Sequence, residues 1–378
     1  RRVRTAKSGV CRGPFRPMTA ATMVRPASGH RESRMNLYPL LFEPIHKPKV
    51  WGGRSLEKLG KNLPADEAIG ESWELADLAA TSASGGGGGA ERSIIANGPL
   101  AGTDLHAAID RFGEALMDRL PLSDEGGFPL LVKFLDARQN LSVQVHPSVE
   151  YATRHPEAHL KSEAWYILDA EPGEVIYQVV LDGYTSEHYR EAGGRKRVEE
   201  LIIAVPATPG DIHYLPSGTC HALGAGIVVA EVQTPSDTTF RVYDWGRRGR
   251  ALHVEAALAC MHLGPAETAE FEPRTTIRRE RTTVERLVHC EYFTIDRVTA
   301  EAGYAQDLVD AEPVVWMVLE GRVEVTCDHA DAAAGHTVAE RGRTVLLPAA
   351  MSGARLEVAE AVTLLEVKFP QAGEDLLA

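Results

Sequence analysis

Short apolar runs, rich in β-branched and aromatic residues and punctuated by Gly, Pro and Asn, dominate the chain. ESWELADL (71–78), FPLLVKFLD (128–136), EAWYILDA (163–170), EVIYQVVL (174–181), DIHYLP (211–216) and GIVVAEVQT (226–234) each predict a strand. After residue 280 the pattern resumes in EYFTIDRV (291–298), VVWMVLEGRVEVT (314–326), RTVLLPA (343–349) and AVTLLEVKF (361–369). So many short strands at regular spacing predict a β-sandwich or barrel. Helical periodicity is confined to a few excursions. In 103–120, Thr103 can cap a helix whose Leu105, Ile109, Phe112, Leu116 and Leu120 share a face. Further helices are expected within 148–160, 186–204 and 253–262.

One strand breaks the apolar rule. In LSVQVH (141–146), Ser142, Gln144 and His146 alternate with Leu141, Val143 and Val145, so three polar side chains share a face. A single buried polar group without a partner costs about 1–3 kcal/mol, so three in register ask for a ligand. Pro147 ends the strand, since it has no N–H for the ladder. Downstream, Lys161, Glu163 and Trp165 share the face of the next strand, and His221 follows a Pro216-x-Gly218 turn. Gln144, His146, Glu163 and His221 thus form a candidate set of two imidazoles, one carboxylate and one amide oxygen. Without a thiolate, such a set suits Zn²⁺ first, with Mn²⁺, Co²⁺ or Fe²⁺ as substitutes. With a single anionic ligand the ion keeps about one net positive charge and acts as a Lewis acid.

Charge and cysteine usage narrow the partners. The chain carries −13, but residues 1–34 hold nine basic residues and one acid, a balance of +8 that leaves −21 on the rest. So acidic a body disfavours nucleic acid, and no apolar run approaches the roughly 20 residues of a membrane span. The basic stretch 1–36 lacks periodicity and is expected to be a disordered extension, with Met35 opening the folded chain. Five scattered cysteines without a C-x-x-C pair imply a reduced, cytoplasmic protein. SASGGGGGAE (82–91) is expected to be a flexible surface loop; it lacks the Lys-Ser/Thr of a phosphate-binding P-loop. A composition shift at 263–280 suggests two parts, 37–264 and 265–378. They echo each other: Gly210-x5-Pro216-x-Gly218-x2-His221 in the first is matched by Gly342-x5-Pro348 in the second, where Gly353 stands in place of the histidine. A metal bound by the first part would have no counterpart in the second.

The segment Gly210 to His221 matches the second cupin motif. Together with VWGG (50–53), GESWEL, IIANGPLAG, FPLLVKFLDA, LSVQVHP, KSEAWYI and EVQTPSDTTFRVYDW, it makes the chain resemble the type I mannose-6-phosphate isomerases in their shorter bacterial form. The resemblance runs from about Leu37 to the C-terminus. It implies a mainly β fold of two cupin-type β-barrel or jelly-roll halves, with helical insertions in the first. It also implies one Zn²⁺ per chain on Gln144, His146, Glu163 and His221. The implied reaction interconverts mannose 6-phosphate and fructose 6-phosphate through a cis-enediol, as a monomer or weak homo-oligomer. Arg241 is then expected near the sugar, with Ser142, Lys133, Asp237 and Glu71 lining the pocket and Glu231 or Lys161 carrying the proton. Leu223, two residues beyond the metal histidine, replaces the Tyr common in larger relatives. Neither the Gly-rich loop nor the basic tail is explained by the resemblance. Two alternatives belong to other classes. One is an oxygenase-type cupin, which would leave open the position that Gln144 fills. The other is a non-catalytic sugar-binding cupin.

Overall fold

The computed structural model describes residues 36–85, 87–180, 185–192, 196–262, 275–308, 312–329 and 331–370. The expected basic extension and the boundary near residue 265 fall outside them. Strands predominate, and their pairings are antiparallel. Two sheets carry the first part of the chain. A six-stranded sheet runs in the order Ile212–Leu215, Glu163–Ala170, Ile227–Gln233, Leu131–Ala137, Ile69–Leu75, Ile45–Gly53. A five-stranded sheet has the order Ile202–Pro206, Val175–Val180, His221–Leu223, Val143–Val145, Phe240–Tyr243. The later strands build a second pair of sheets, of seven and four strands, around a core that includes Trp316, Val325, Leu347, Met351 and Leu364. The chain is mainly β, as its pattern of short runs predicts.

Several elements depart from expectation. The helix expected over 103–120 is two short ones, Leu105–Phe112 and Glu114–Met117, broken at Gly113. Its cap is Asp104 and not Thr103, because the Asp104 carboxylate accepts the Ala107 N–H at 2.8 Å. The 148–160 helix is only Val149–Arg154, with Pro156 just beyond its end. Residues 202–204, expected as helix, belong to the strand Ile202–Pro206, where Ile203 and Val205 pair with Gln178 and Ile176. The run Ile-Ile-Ala-Val is β-branched, and the neighbouring strand overrides a weak helical signal. Leu40–Leu41 adds an edge to the seven-stranded sheet through Leu346 and Val345. Lys61, near the start of the chain, likewise donates to the carbonyl of Gly342 at 2.5 Å while pairing with buried Glu74 at 2.6 Å.

Register places the chemistry. On the five-stranded sheet His221 lies directly opposite Gln144, and Gln144 directly opposite Arg241, so the three form one row across adjacent strands on a common face. Their neighbours Val143, Val145, Ala222 and Val242 point the other way into an apolar cluster with Tyr189 and Met261. On the six-stranded sheet a second row runs Trp165, Glu231, Lys133, Trp73.

Candidate metal centre

The two rows meet between the sheets. Ligand atoms of His146, Glu163 and His221 all lie within 4.8 Å of one another, and each of the three residues is at most 1% exposed. Glu163 Oε1 stands 3.0 Å from His221 Nε2 and 3.5 Å from His146 Nε2. Both rings are oriented from behind by backbone carbonyls: His146 Nδ1 donates to Thr238 O and His221 Nδ1 to Thr219 O, each at 2.9 Å. A carbonyl can only accept, so each Nδ1 carries the proton and each Nε2 can offer a lone pair inward. Local sequence builds these supports. Pro216 and Gly218 form the turn that presents Thr219 and His221, and Gly218 takes φ 82° where a Cβ would meet the Cys260 carbonyl at 2.8 Å. Gly218 N also donates to His146 O at 3.1 Å, tying the two histidine segments together.

The polar atoms of this cluster are left for a cation. Among the described residues, His146 Nε2 and Glu163 Oε1 have no hydrogen bond although both are fully buried, while Glu163 Oε2 faces the Lys161 ammonium at 2.7 Å. Burial, together with the Lys161 cation, pushes His146 down to about 3, so at neutral pH no proton bridges its Nε2 to Glu163. Burial also acts to raise Glu163, but the Lys161 cation, with Nζ 2.7 Å from Oε2, is the leading influence against it, and the carboxyl is held well below its ordinary range. A buried carboxylate facing two imidazole lone pairs is costly unless a positive ion stands among them, and nitrogen with oxygen donors suits a borderline divalent metal. Gln144 adjoins the cluster: its amide nitrogen lies 3.4 Å from His221 Nε2, and its amide oxygen accepts from Ser142 Oγ at 3.1 Å.

A cavity of ≈ 230 Å³ adjoins the cluster through Gln144 and Lys161, which line it and contact His221 and Glu163 respectively. All the residues expected to act on or line the sugar are found there: Glu71, Lys133, Ser142, Lys161, Glu231, Asp237 and Arg241. Six basic side chains face it against four acidic ones, a positive lining in a chain that is otherwise acidic. Lys133 Nζ contacts Glu231 Oε1 at 2.9 Å, Gln233 Oε1 at 2.5 Å and Glu71 Oε2 at 3.9 Å. Burial lowers Lys133, but Glu231 and Glu71 more than reverse it, so this ammonium stays charged inside the wall. Glu231 does not orient a ligand histidine; its Oε2 accepts the Trp165 indole N–H at 2.9 Å. Glu71, whose burial is outweighed by Lys49 and Lys133, is held down at about 2. Arg241 does not pair with Asp244, whose carboxylate Arg247 and Arg250 occupy.

Sequence reasoning missed Gln233 and Lys49, and it put Trp165 on the right face without its contact to Glu231. Gln233 was findable, since it follows Glu231 by two residues on the same strand face, the alternation that marks Ser142, Gln144 and His146. Lys49, 2.9 Å from Glu71, carries no such signal. The Gly-rich loop lies at the surface, with Gly87, Gly88 and Gly89 exposed, and Gly85 and Gly87 also line the cavity.

Fold and site together define a cupin with a buried His/Glu cluster that could hold a metal ion, beside a basic cavity. The family Phosphomannose isomerase type I, catalytic domain, matches residues 40–189. The mannose-6-phosphate isomerase ManA of Bacillus subtilis is 36% identical over 279 residues, 70% of this chain and 80% of that protein. The mannose-6-phosphate isomerase of Streptococcus mutans is 36% identical over 265 residues, 68% and 77% of the two. The crystal structure of the mannose 6-phosphate isomerase from Bacillus subtilis superposes with TM-score 0.74 at 27% identity, over 88% of this chain and all of that one. A Salmonella typhimurium mannose 6-phosphate isomerase, bound to substrate and a metal atom (Zn), shares the fold with TM-score 0.66 at 15% identity, with the same 88% and 100% coverage. The chain belongs to the type I mannose-6-phosphate isomerase family and is an enzyme of that class. No helix among the described residues is long and apolar enough to cross a membrane.

Proposed function

We propose that the chain interconverts mannose 6-phosphate and fructose 6-phosphate through a cis-enediol, with one Zn²⁺ held by Gln144, His146, Glu163 and His221. The observation that carries this reading is the buried cluster of His146, Glu163 and His221, whose ligand atoms converge within 4.8 Å beside a positively lined cavity that Gln144 and Lys161 border. When bound, the ion supplies Lewis-acid charge at the end of the cavity where the sugar's oxygens change charge. The protein supplies the rest. Arg241, in register with Gln144, offers guanidinium N–H donors to the same region, an electrostatic role that is often the largest single contribution to catalysis.

Glu231 carries the proton between C2 and C1. Lys133 and Trp165 fix its carboxylate, and Lys161 Nζ stands 4.0 Å from it. Fixing the base before substrate arrives removes orientational entropy from the chemical step. Ser142, Lys133, Asp237 and Glu71 shape the sugar's surroundings, and the net positive lining favours a dianionic phosphate. The four described cysteines are all free, which suits a cytoplasmic enzyme.

The test is coupled turnover of mannose 6-phosphate with and without chelator. Turnover should be lost on metal removal and return with Zn²⁺. Inactivity of the zinc-loaded chain would sink the isomerase reading, and full activity without metal would sink the metal's role. Glu231→Gln should abolish exchange of the C1 and C2 hydrogens with solvent; if it retains exchange while Lys161→Met loses it, the proton carrier is Lys161.

A further inference from the structure

The run of glycines beginning at 85, with the serines before it, accounts for one more part of the site. Ser82 makes the turn: its carbonyl accepts from Gly85 N at 3.1 Å and Gly87 N at 2.8 Å, and its hydroxyl accepts from Gly85 N at 3.0 Å. The turn then docks on alternate residues of the segment that enters the strand Phe240–Tyr243. Ser82 N donates to Asp237 Oδ1 at 2.8 Å. Ser84 Oγ accepts from Thr239 N at 3.0 Å, and Ser84 O accepts from Arg241 Nη2 at 3.0 Å. Gly85 is needed for space: a Cβ there would lie 2.1 Å from Asp237 Oδ2 and 2.8 Å from the Asp237 carbonyl. A larger residue would lift the turn, and Ser84 with it, away from Arg241.

From this geometry we infer that Ser84 is a positioning residue for Arg241, held in place by the close approach of Gly85 to Asp237. A guanidinium has five N–H donors in a rigid plane, so fixing Nη2 on one carbonyl sets the direction of the others. Ser84 grips both ends of the problem. Its hydroxyl holds the backbone two residues before Arg241, and its carbonyl holds the side chain. The inference rests on the reading above that Arg241 faces the reacting sugar. It assigns a catalytic consequence to a glycine-rich segment whose composition suggests only slack.

A double-mutant cycle on the full, zinc-loaded chain tests it. Gly85→Ala and Ser84→Ala should each lower kcat, by about 10- to 100-fold for the first and about tenfold or less for the second, as expected for misplacing a catalytic group by an ångström or so. KM should stay within about twofold, because the interaction lost is one made in the transition state. Ser84→Thr, which keeps a hydroxyl, should recover most of the kcat that Ser84→Ala loses. In an Arg241→Ala background both changes should alter kcat by less than about twofold, since a residue acting through Arg241 has nothing left to position. Zinc content and unfolding temperature, measured on every variant, exclude loss of fold; Ser84→Ala carries the test if Gly85→Ala does not fold. Equal losses with and without Arg241, or no loss of kcat at all, would overturn the positioning role. Absence of mannose 6-phosphate turnover in the zinc-loaded wild-type chain overturns the isomerase reading as well, and is seen before any variant is made.

Discussion

The two pairs of sheets contain equivalent turns and put them to opposite uses. In the first, Gly210, Pro216 and Gly218 lead to His221, and the buried residues around it include His146, Glu163, Glu231, Lys133, Lys161, Gln144 and Gln233. In the second, Gly342 and Pro348 lead to Gly353, and the corresponding interior is Trp316, Val325, Leu347, Met351 and Leu364. The apolar half is stabilised by what it buries. The polar half buries a carboxylate and imidazole lone pairs beside the Lys161 cation, an arrangement that a bound metal ion would stabilise further. The same turn therefore serves chemistry in one place and packing in the other.

That contrast can be broken most severely at Glu163. Glu163→Ala removes the one anionic member of the proposed ligand set, and we expect at least about 10³-fold loss of turnover with loss of bound metal, measured by coupled assay and metal analysis. Leu364→Ala in the other half should cost about 2–5 kcal/mol of stability in denaturant unfolding while metal stoichiometry stays unchanged. A swap of these two outcomes would mean that the halves do not divide the work in this way.

A pH experiment sharpens the polar side. Glu71 is held down at about 2 by Lys49 and Lys133 against its own burial. A depressed carboxyl contributes stability that is fully present above its unfolded value near 4.5 and is lost as pH falls through 2. The stability difference between wild type and Glu71→Gln should therefore be on the order of 3 kcal/mol at neutral pH and vanish between about pH 4.5 and 2. The smallest effect on metal is expected at Gly353. Gly353→His adds an imidazole to that turn, yet metal content should stay at one per chain, because the interior of that half, which includes Val325, Met351 and Leu356, is apolar and the neighbouring Asp328 carboxylate alone gives a metal too few partners. The position itself resists a side chain, with φ 61° and a Cβ 2.5 Å from Asp328 Oδ2. A second equivalent of zinc would show that the apolar half retains a latent site.

Much of the site was legible because strand alternation is a local property. Ser142, Gln144 and His146 stand out wherever the strand goes, since period two needs only the backbone pleat. The Pro-x-Gly turn before His221 and the apolar run after Glu163 are local in the same sense. The helix breaks at Gly113 and Pro156 were also written locally, and the longer periodicity obscured them. Lys49 and Gln233 were not singled out, for different reasons: Gln233 repeats an alternation already visible in its strand, whereas the significance of Lys49 depends on which strand lies beside its own.

The sequence by itself determined the strand-rich architecture, the ligand candidates and the asymmetry between His221 and Gly353, since these follow from side-chain alternation and turn chemistry. Tertiary structure decided which residues meet. Cross-strand register set Gln144 between His221 and Arg241, packing of one sheet over the other brought Glu163 within 3.0 Å of His221, and a contact between positions 155 or more residues apart laid Ser82 and Ser84 against Asp237, Thr239 and Arg241. Contacts of that range depend on how whole strands pair and stack, which no short window of sequence contains.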